Sequence, residues 1–418
     1  MTKKNFGVLA SELDGGTISD VVIRNYIIKS GRYTTMGALV AIMSNGATIC
    51  RVNIEDSCEL LGRESYVGGI VGRFQRTANY CPVDEEGNVL VGSALVTICD
   101  STNSAPIFIT SSGNANVGGI VAEANIANTI YRFEMIISNC VNNASILPVE
   151  GLNATSVFHF GGFVGEREFN SVGDGGVLKI IDSTNYGNIA SIGGISSYGG
   201  FIGATYRSAK AEFIRCQNRG NIGVAKNSLN EDITEGYAAG FVGQVSELYS
   251  GNPFYFVNCA NYGDIVGGQY AGGFLGDITS NGGHDVNVSI INSANYGALS
   301  IVNTEAGEYG QSFAAFMTVM ASGTFTITIS NCLFTASKTY GMIAEQTKEK
   351  AIAENIGLNQ VYVDDLMTVK AMQKSLDAYA QENANEPWVL GVVDNKVYPE
   401  LECFAERIFS LETLIIIK

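Results

Sequence analysis

A stretch from Val257 to Gly276, VNCANYGDIVGGQYAGGFLG, recurs with variation along most of the chain, and a repeat of this kind leaves few architectures open. Its first half reads apolar, polar, Cys or Ser, any, Asn, any, Gly, any, Ile. The Cys or Ser place is held by Ser101, Cys140, Ser183, Cys216, Cys259, Ser293 and Cys332, spaced from 33 residues (Ser183 to Cys216) to 43 (Cys140 to Ser183). Two residues on stand Asn103, Asn142, Asn185, Asn218, Asn261 and Asn295. Six residues on stand Ile107, Ile146, Ile189, Ile222, Ile265 and Leu299, and Phe334 and Lys338 break the two series. The second half returns as VGGIVG (67–72), VGGIVA (117–122), FGGFVG (160–165), YGGFIG (198–203), AAGFVG (238–243) and AGGFLG (271–276), with weaker forms at 6–10, 36–41 and 312–317.

A period near forty residues belongs to a solenoid or a propeller, in which each unit buries its apolar face only against its neighbours. Helical periodicity is absent from the repeats, which removes the helical solenoids. A propeller blade needs antiparallel hairpins with Asn-Gly-type turns at fixed points, and no such frame exists. A single Asn register instead suits coils stacked in parallel, where each side chain lies over its own kind and amides hydrogen-bond along the stack. Gly 49 against Pro 6 agrees, since glycine without proline marks tight bends and close backbone contacts within β structure. The expected fold is all-β, a parallel β-helix or β-solenoid of about eight to nine coils with a small α+β cap.

Residues 1–66 read as degenerate N-terminal coils and 67–343 as the regular solenoid. Residues 344–418 read as a C-terminal cap that covers exposed strand edges. The cap holds one amphipathic helix, Thr368 to Asn383, with Val369, Met372, Leu376, Tyr379 and Ala380 on one face. Two strands follow around Asp394-Asn395, and FSLETLIIIK ends the chain in β-prone residues.

The net charge of -16 argues against nucleic acid and against anionic membrane, and no apolar run is long enough to span a bilayer. MTKKNFGVLASEL has no long apolar core of a signal peptide, so the chain is expected to begin inside its fold. Cys140, Cys216, Cys259 and Cys332 share a place with serines, which marks them as small interior residues with free thiols. Neighbouring coils lie about 4.8 Å apart, so a Cys216 to Cys259 bridge is the alternative.

The recurrent GG[FI][VIL]G with an upstream NYGxI resembles the GLUG-type repeat of exported bacterial and protist surface proteins. That likeness covers about Val67 to Ile343 and the closing YPEL at Tyr398 to Leu401. It implies a β-solenoid displayed at the cell surface or outside the cell.

Catalytic signatures are sparse. Only His159 and His284 exist and neither lies in HExxH, so a zinc peptidase is excluded. His159, between Phe158 and Phe160, reads as a packed strand residue. Asp100 and Asp182 precede the Cys or Ser place and stand two coils apart, about 10 Å at β spacing, which suits an inverting hydrolase if both face a groove. They also fit a polar ladder of Asp100, Asn139, Asp182, Arg215, Asn258, Asn292 and Asn331. The acidic loops Val83 to Asn88 and Asn230 to Glu235 match no calcium-loop spacing. Asn143, Asn153 and Asn287 head glycosylation sequons.

No cofactor or metal is expected. The reading favours a structural, non-catalytic solenoid that self-associates through its chain ends in an appendage, filament or surface layer. The alternative is an adhesin or glycan-binding module that uses its inter-repeat loops, and a more remote one is a polysaccharide-active enzyme.

Overall fold

The computed structural model describes residues 4–335, apart from segments within 76–93, 127–133, 151–155, 170–175, 194–195, 207–209, 227–229, 247–252, 280–285, 304–311 and 315–324, and position 331. Beyond 335 it describes the strands Ala351–Glu354, Leu358–Val361, Trp388–Val393 and Lys396–Leu401.

These residues are all-β, and the strands up to Leu358–Val361 wind as a parallel β-helix. One circuit shows the plan. Tyr237–Ala239 lies in sheet A, and Gly240 and Phe241 turn the corner into Val242–Ser246 of sheet B. Sheet C takes Phe254–Val257 and, after a bend at Asn258 and Cys259, Ala260–Asn261. Ile265–Gly267 forms sheet D before the next circuit begins at Tyr270. Each place pairs in parallel with its repeat one coil on: Tyr237 with Tyr270, Val242 with Leu275, Phe254 with Val288, Ala260 with Ala294 and Ile265 with Leu299. Sheet A holds nine strands, from Lys4–Gly7 to Ser312–Ala314, and sheet B holds eight.

Strand alternation sends one face of each sheet inward. Phe254 and Phe256 are buried while Tyr255 and Val257 are half-exposed. Inside, Phe163, Phe201, Phe241 and Phe274 stack coil over coil with centroids 4.7, 4.8 and 4.6 Å apart, and Phe213 stacks on Phe256 at 4.8 Å. These pairs match the inter-coil spacing and each adds about 0.5–1.5 kcal/mol beyond its area.

The asparagine column is buried. From coil to coil the side-chain amide donates to the next side-chain oxygen: Asn142 to Asn185 at 2.8 Å, Asn185 to Asn218 at 2.8 Å, Asn218 to Asn261 at 2.7 Å and Asn261 to Asn295 at 2.7 Å. The same amides donate to the carbonyls of Ala144, Gly187, Gly220 and Gly263. Asn103 departs from the series, because its amide donates to Gly119 O at 2.7 Å. A side chain at Gly162 would strike both Asn185 and the Gly200 carbonyl, so the second glycine of the GG pair is what admits the ladder.

The residue before the Cys or Ser place lies at positive φ in every described coil: Asp20, Arg51, Asp100, Asn139, Asp182, Arg215, Asn258 and Asn292 span 47° to 61°. From Asp100 onward this column breaks each sheet C strand in two, whereas Thr17–Ile23 and Ala47–Ile54 run unbroken through Asp20 and Arg51. Following it, Ser101, Ser183 and Ser293 donate to the carbonyl two residues back, at 2.6, 2.8 and 2.8 Å. The thiols of Cys140, Cys216 and Cys259 make the same bond at 3.2, 3.4 and 3.4 Å. Cysteine and serine are thus matched in hydrogen bonding as well as size.

The free thiols expected at Cys140, Cys216, Cys259 and Cys332 are present, and a disulfide that the repeat pattern did not point to stands elsewhere. Cys50 and Cys99, in register on adjacent sheet C strands, form a disulfide with Cα atoms 4.6 Å apart. Cys58, Cys140, Cys216, Cys259 and Cys332 are free and buried, and no Cys216 to Cys259 bridge exists. Sheet C also continues past 343, since Ala351–Glu354 and Leu358–Val361 pair in parallel with Phe325–Ser330 and Cys332–Thr335. Trp388–Val393 and Lys396–Leu401 pair antiparallel. The helix expected at 368–383, the terminal 409–418, His284 and Asn153 lie outside the described residues.

Candidate functional site

The corner between sheets A and B is unusually sharp, and glycine makes it so. A Cβ on Gly165 would lie 2.6 Å from Val117 N, and one on Gly203 would lie 2.5 Å from Phe160 N. Each sheet B strand therefore sits against the sheet A strand one coil back. As a result the outward side chains of the two sheets converge in a polar cleft, in which Thr35, Glu123, His159, Ser197, Tyr270 and Asp277 are themselves buried.

Sheet A contributes the register column Thr35, Tyr66, Asn116, His159, Ser197, Tyr237 and Tyr270. Sheet B contributes Ile42, Arg73, Glu123, Glu166, Ala204, Gln244 and Asp277. Contacts cross between them. Asn116 Nδ2 donates to Glu166 Oε2 at 2.6 Å and Ser197 Oγ to Gln244 Oε1 at 2.9 Å. Arg73 Nε lies 2.9 Å from Glu123 Oε2, with its guanidinium 5.5 Å from the Tyr66 ring centroid. Tyr237 and Tyr270 stack at 5.4 Å.

His159 belongs to this cleft. Its neighbours Phe158 and Phe160 point inward, while the imidazole leaves the other face and meets Tyr206 Oη at 3.1 Å and Glu166 Oε2 at 3.8 Å. Burial lowers its pKa to about 4, which leaves the ring neutral near pH 7. Burial, the nearby carboxylate of Glu123 and that of Glu168 raise Glu166 to about 8, against the pull of Asn116 and Arg73. Burial also raises Tyr66 to about 12.

At one end the cleft opens into a cavity of about 390 Å³ lined by Tyr33, Glu64, Ser65, Tyr66, Asn114, Asn116, His159 and Glu166, with Ala115 and Val157. The volume falls within the range of small-ligand sites.

Carboxylate oxygens of Glu123, Glu166 and Glu168 lie within 4.8 Å of one another and are the residues placed to share a cation. The Arg73 guanidinium already stands on Glu123, where a metal ion would bind. The Cys50, Cys99 and Asp100 group offers no thiolate, because its two sulfurs are bonded to each other.

The Asp100 and Asp182 pair is part of the bend ladder. Asp100 accepts from Asn139 at 2.6 Å, and Arg215 holds both oxygens of Asp182 at 2.5 and 2.8 Å. Arg51 grips Asp20 in the same way at 2.6 and 2.8 Å. In the 230–235 loop, Lys226 Nζ lies 3.6 Å from Asp232 and the acidic side chains are exposed. Asn143 is exposed and Asn287 is half-buried within a strand.

The chain matches no known family model, no curated protein sequence and no solved structure.

Proposed function

We propose that this protein is a non-catalytic β-solenoid that binds an extended glycan along the cleft between sheets A and B. The observation that carries this reading is the cleft's composition. Half-buried Tyr66 and Tyr237 supply ring faces, and Asn116, Gln244 and Glu166 supply hydrogen-bonding groups in a line with the inter-coil repeat. Sugars present apolar faces to rings and hydroxyls to amides and carboxylates, so such a row suits a carbohydrate chain. This places recognition on the sheets themselves and not on the inserted loops. The Cys50 to Cys99 disulfide supports an oxidising, extracellular setting. Glycan-array binding that is lost in a folded Tyr237→Ala, Gln244→Ala double variant is the expected result. Binding to no extended glycan overturns the reading.

A structural role through self-association rests on a separate observation. The first coil exposes Phe6 (44%), Leu9 (55%), Val22 (56%) and Ile27 (60%), and its strands pair on one side only among the described residues. Open edges of this kind accept a further strand. Val22→Lys with Ile27→Lys is expected to shift sedimenting assemblies to monomer, and assemblies that persist unchanged overturn it.

A further inference from the structure

We infer that Cys50, Cys99 and Asp100 form a redox-gated site for a thiophilic divalent cation of the Zn²⁺ type, closed while the cysteines are a disulfide and open when they are a dithiol. The site lies on the outer face of sheet C and does not depend on the glycan reading.

Placement separates these two cysteines from the others described. Cys58, Cys140, Cys216, Cys259 and Cys332 are buried, whereas Cys50 and Cys99 are half-exposed. Their register column holds Ser19, Ser138, Ile181 and Ile214 on other coils, so the column itself does not call for sulfur.

The ligand atoms converge. At Asp100 the backbone turns with a φ of 47°, and its Oδ2 lies 3.4 Å from Cys50 Sγ. The two sulfurs and a carboxylate oxygen lie within 4.8 Å of one another. Tetrahedral Zn–S bonds of about 2.3 Å need sulfurs about 3.8 Å apart. Strands with Cα atoms 4.6 Å apart allow that separation once the bridge opens. Asn139 Nδ2 donates to Asp100 Oδ1 at 2.6 Å, the kind of outer hydrogen bond that fixes a ligating carboxylate. The neighbouring Arg51 is held by both oxygens of Asp20, on the preceding coil, at 2.6 and 2.8 Å.

Opening the site takes two electrons from a dithiol. The S–S bond breaks, each cysteine sulfur gains an electron and a proton, and the dithiol leaves as its cyclic disulfide. Thiolate is the soft ligand that selects zinc over calcium or magnesium, and binding displaces a proton from each thiol. A disulfide reagent reverses the change: the cysteines bond again, the reagent leaves as two thiols, and the ion is released.

The test uses the full chain with Cys81→Ser and Cys403→Ser, which removes the cysteines outside the described residues. It is reduced with dithiothreitol and desalted under nitrogen. The reduced chain is expected to bind one Zn²⁺, to show thiolate-to-metal charge transfer with Co²⁺, and to gain Tm when Zn²⁺ is added. The oxidised chain should do none of these. Maleimide labelling confined to Cys50 and Cys99 shows that the reduced chain is folded. Asp100→Asn places at this bend the residue that Asn139, Asn258 and Asn292 place there on other coils. It should weaken Zn²⁺ binding at least tenfold with the labelling unchanged. Equal Zn²⁺ binding before and after reduction, or none after it, overturns the site. Full affinity in Asp100→Asn overturns the three-ligand assignment. Labelling of the buried thiols on reduction overturns the gate, since the bridge would then be needed to hold the fold.

Discussion

The side-chain amide of Asn218 donates to the side-chain oxygen of Asn261, one coil on, at 2.7 Å, and both residues are fully buried. Asn218 also donates to Gly220 O at 2.9 Å and accepts from Asn185 at 2.8 Å. Removing it strands groups on both neighbouring coils. Asn218→Ala is expected to lose about 2–4 kcal/mol of unfolding free energy, since each orphaned buried group costs about 1–3. A double-mutant cycle with Asn261→Ala should show strong coupling, read from urea denaturation. The same cycle for Asn103 with Asn142 should show little, because the Asn103 amide goes to Gly119 O.

The Cys50 to Cys99 bridge closes a separation of 49 residues. Chain-entropy reasoning gives it about 4 kcal/mol of stabilisation. Reduction, or Cys50→Ser, is expected to lower Tm by several degrees. The buried thiols of Cys140, Cys216 and Cys259 should stay unreactive to maleimide until the chain unfolds. Burial raises Cys140 to about 12, so its reactive thiolate is scarce.

Arg167 occupies an interior column otherwise formed by Met43, Phe74, Ala124, Thr205, Val245 and Ile278. It is fully buried, donates to Lys210 O at 2.6 Å, and burial lowers its pKa to about 9. Burying a guanidinium carries a large desolvation cost, and replacing a buried charged group by an apolar side chain of similar volume is often stabilising. Arg167→Met should therefore raise stability by about 1 kcal/mol or more in chemical denaturation.

Glu166 and His159 give stability opposite pH dependences. Glu166 rises from 4.5 to about 8, so its contribution is complete below pH 4.5 and is lost as pH rises to 8. His159 falls from 6.5 to about 4, so its contribution is complete above pH 6.5 and is lost as pH falls to 4. The two oppose each other between pH 4.5 and 6.5, and Glu166 acts without that opposition from 6.5 to 8. Tm of the wild type should fall across the upper window, and Glu166→Gln should flatten that fall. An equal slope in both proteins would refute the assignment.

What could be read in the sequence follows from stacking. In a parallel coil a buried residue meets the same neighbours on every rung, so the Asn, Ile and Cys or Ser columns repeat and announce themselves. The cleft columns carry no such constraint. Tyr66, Asn116, His159, Ser197, Tyr237 and Tyr270 differ in type because each answers to a different partner across the corner, as Asn116 does to Glu166 and Ser197 to Gln244. Their signal was positional: each stands two places before the first small residue of the GG motif, and Arg73, Glu123, Glu166, Ala204, Gln244 and Asp277 each stand five after it. That these offsets meet across a corner depends on how closely glycine lets two strands approach. The disulfide was legible in hindsight from TIC at 48–50 and again at 97–99, one residue ahead of the bend column.

The asparagine ladder has a direction. From Asn142 to Asn295 every amide donates toward the C-terminal neighbour and none donates back. The side-chain dipoles therefore add, as peptide dipoles do along a helix, and each bond polarises the next. A coil joined to the C-terminal end of this run meets an outstretched donor, and one joined to the other end meets an acceptor. The stack has a built-in head and tail. Coils could be inserted or deleted whole without reversing that sense, whereas a coil threaded the wrong way would set donor against donor.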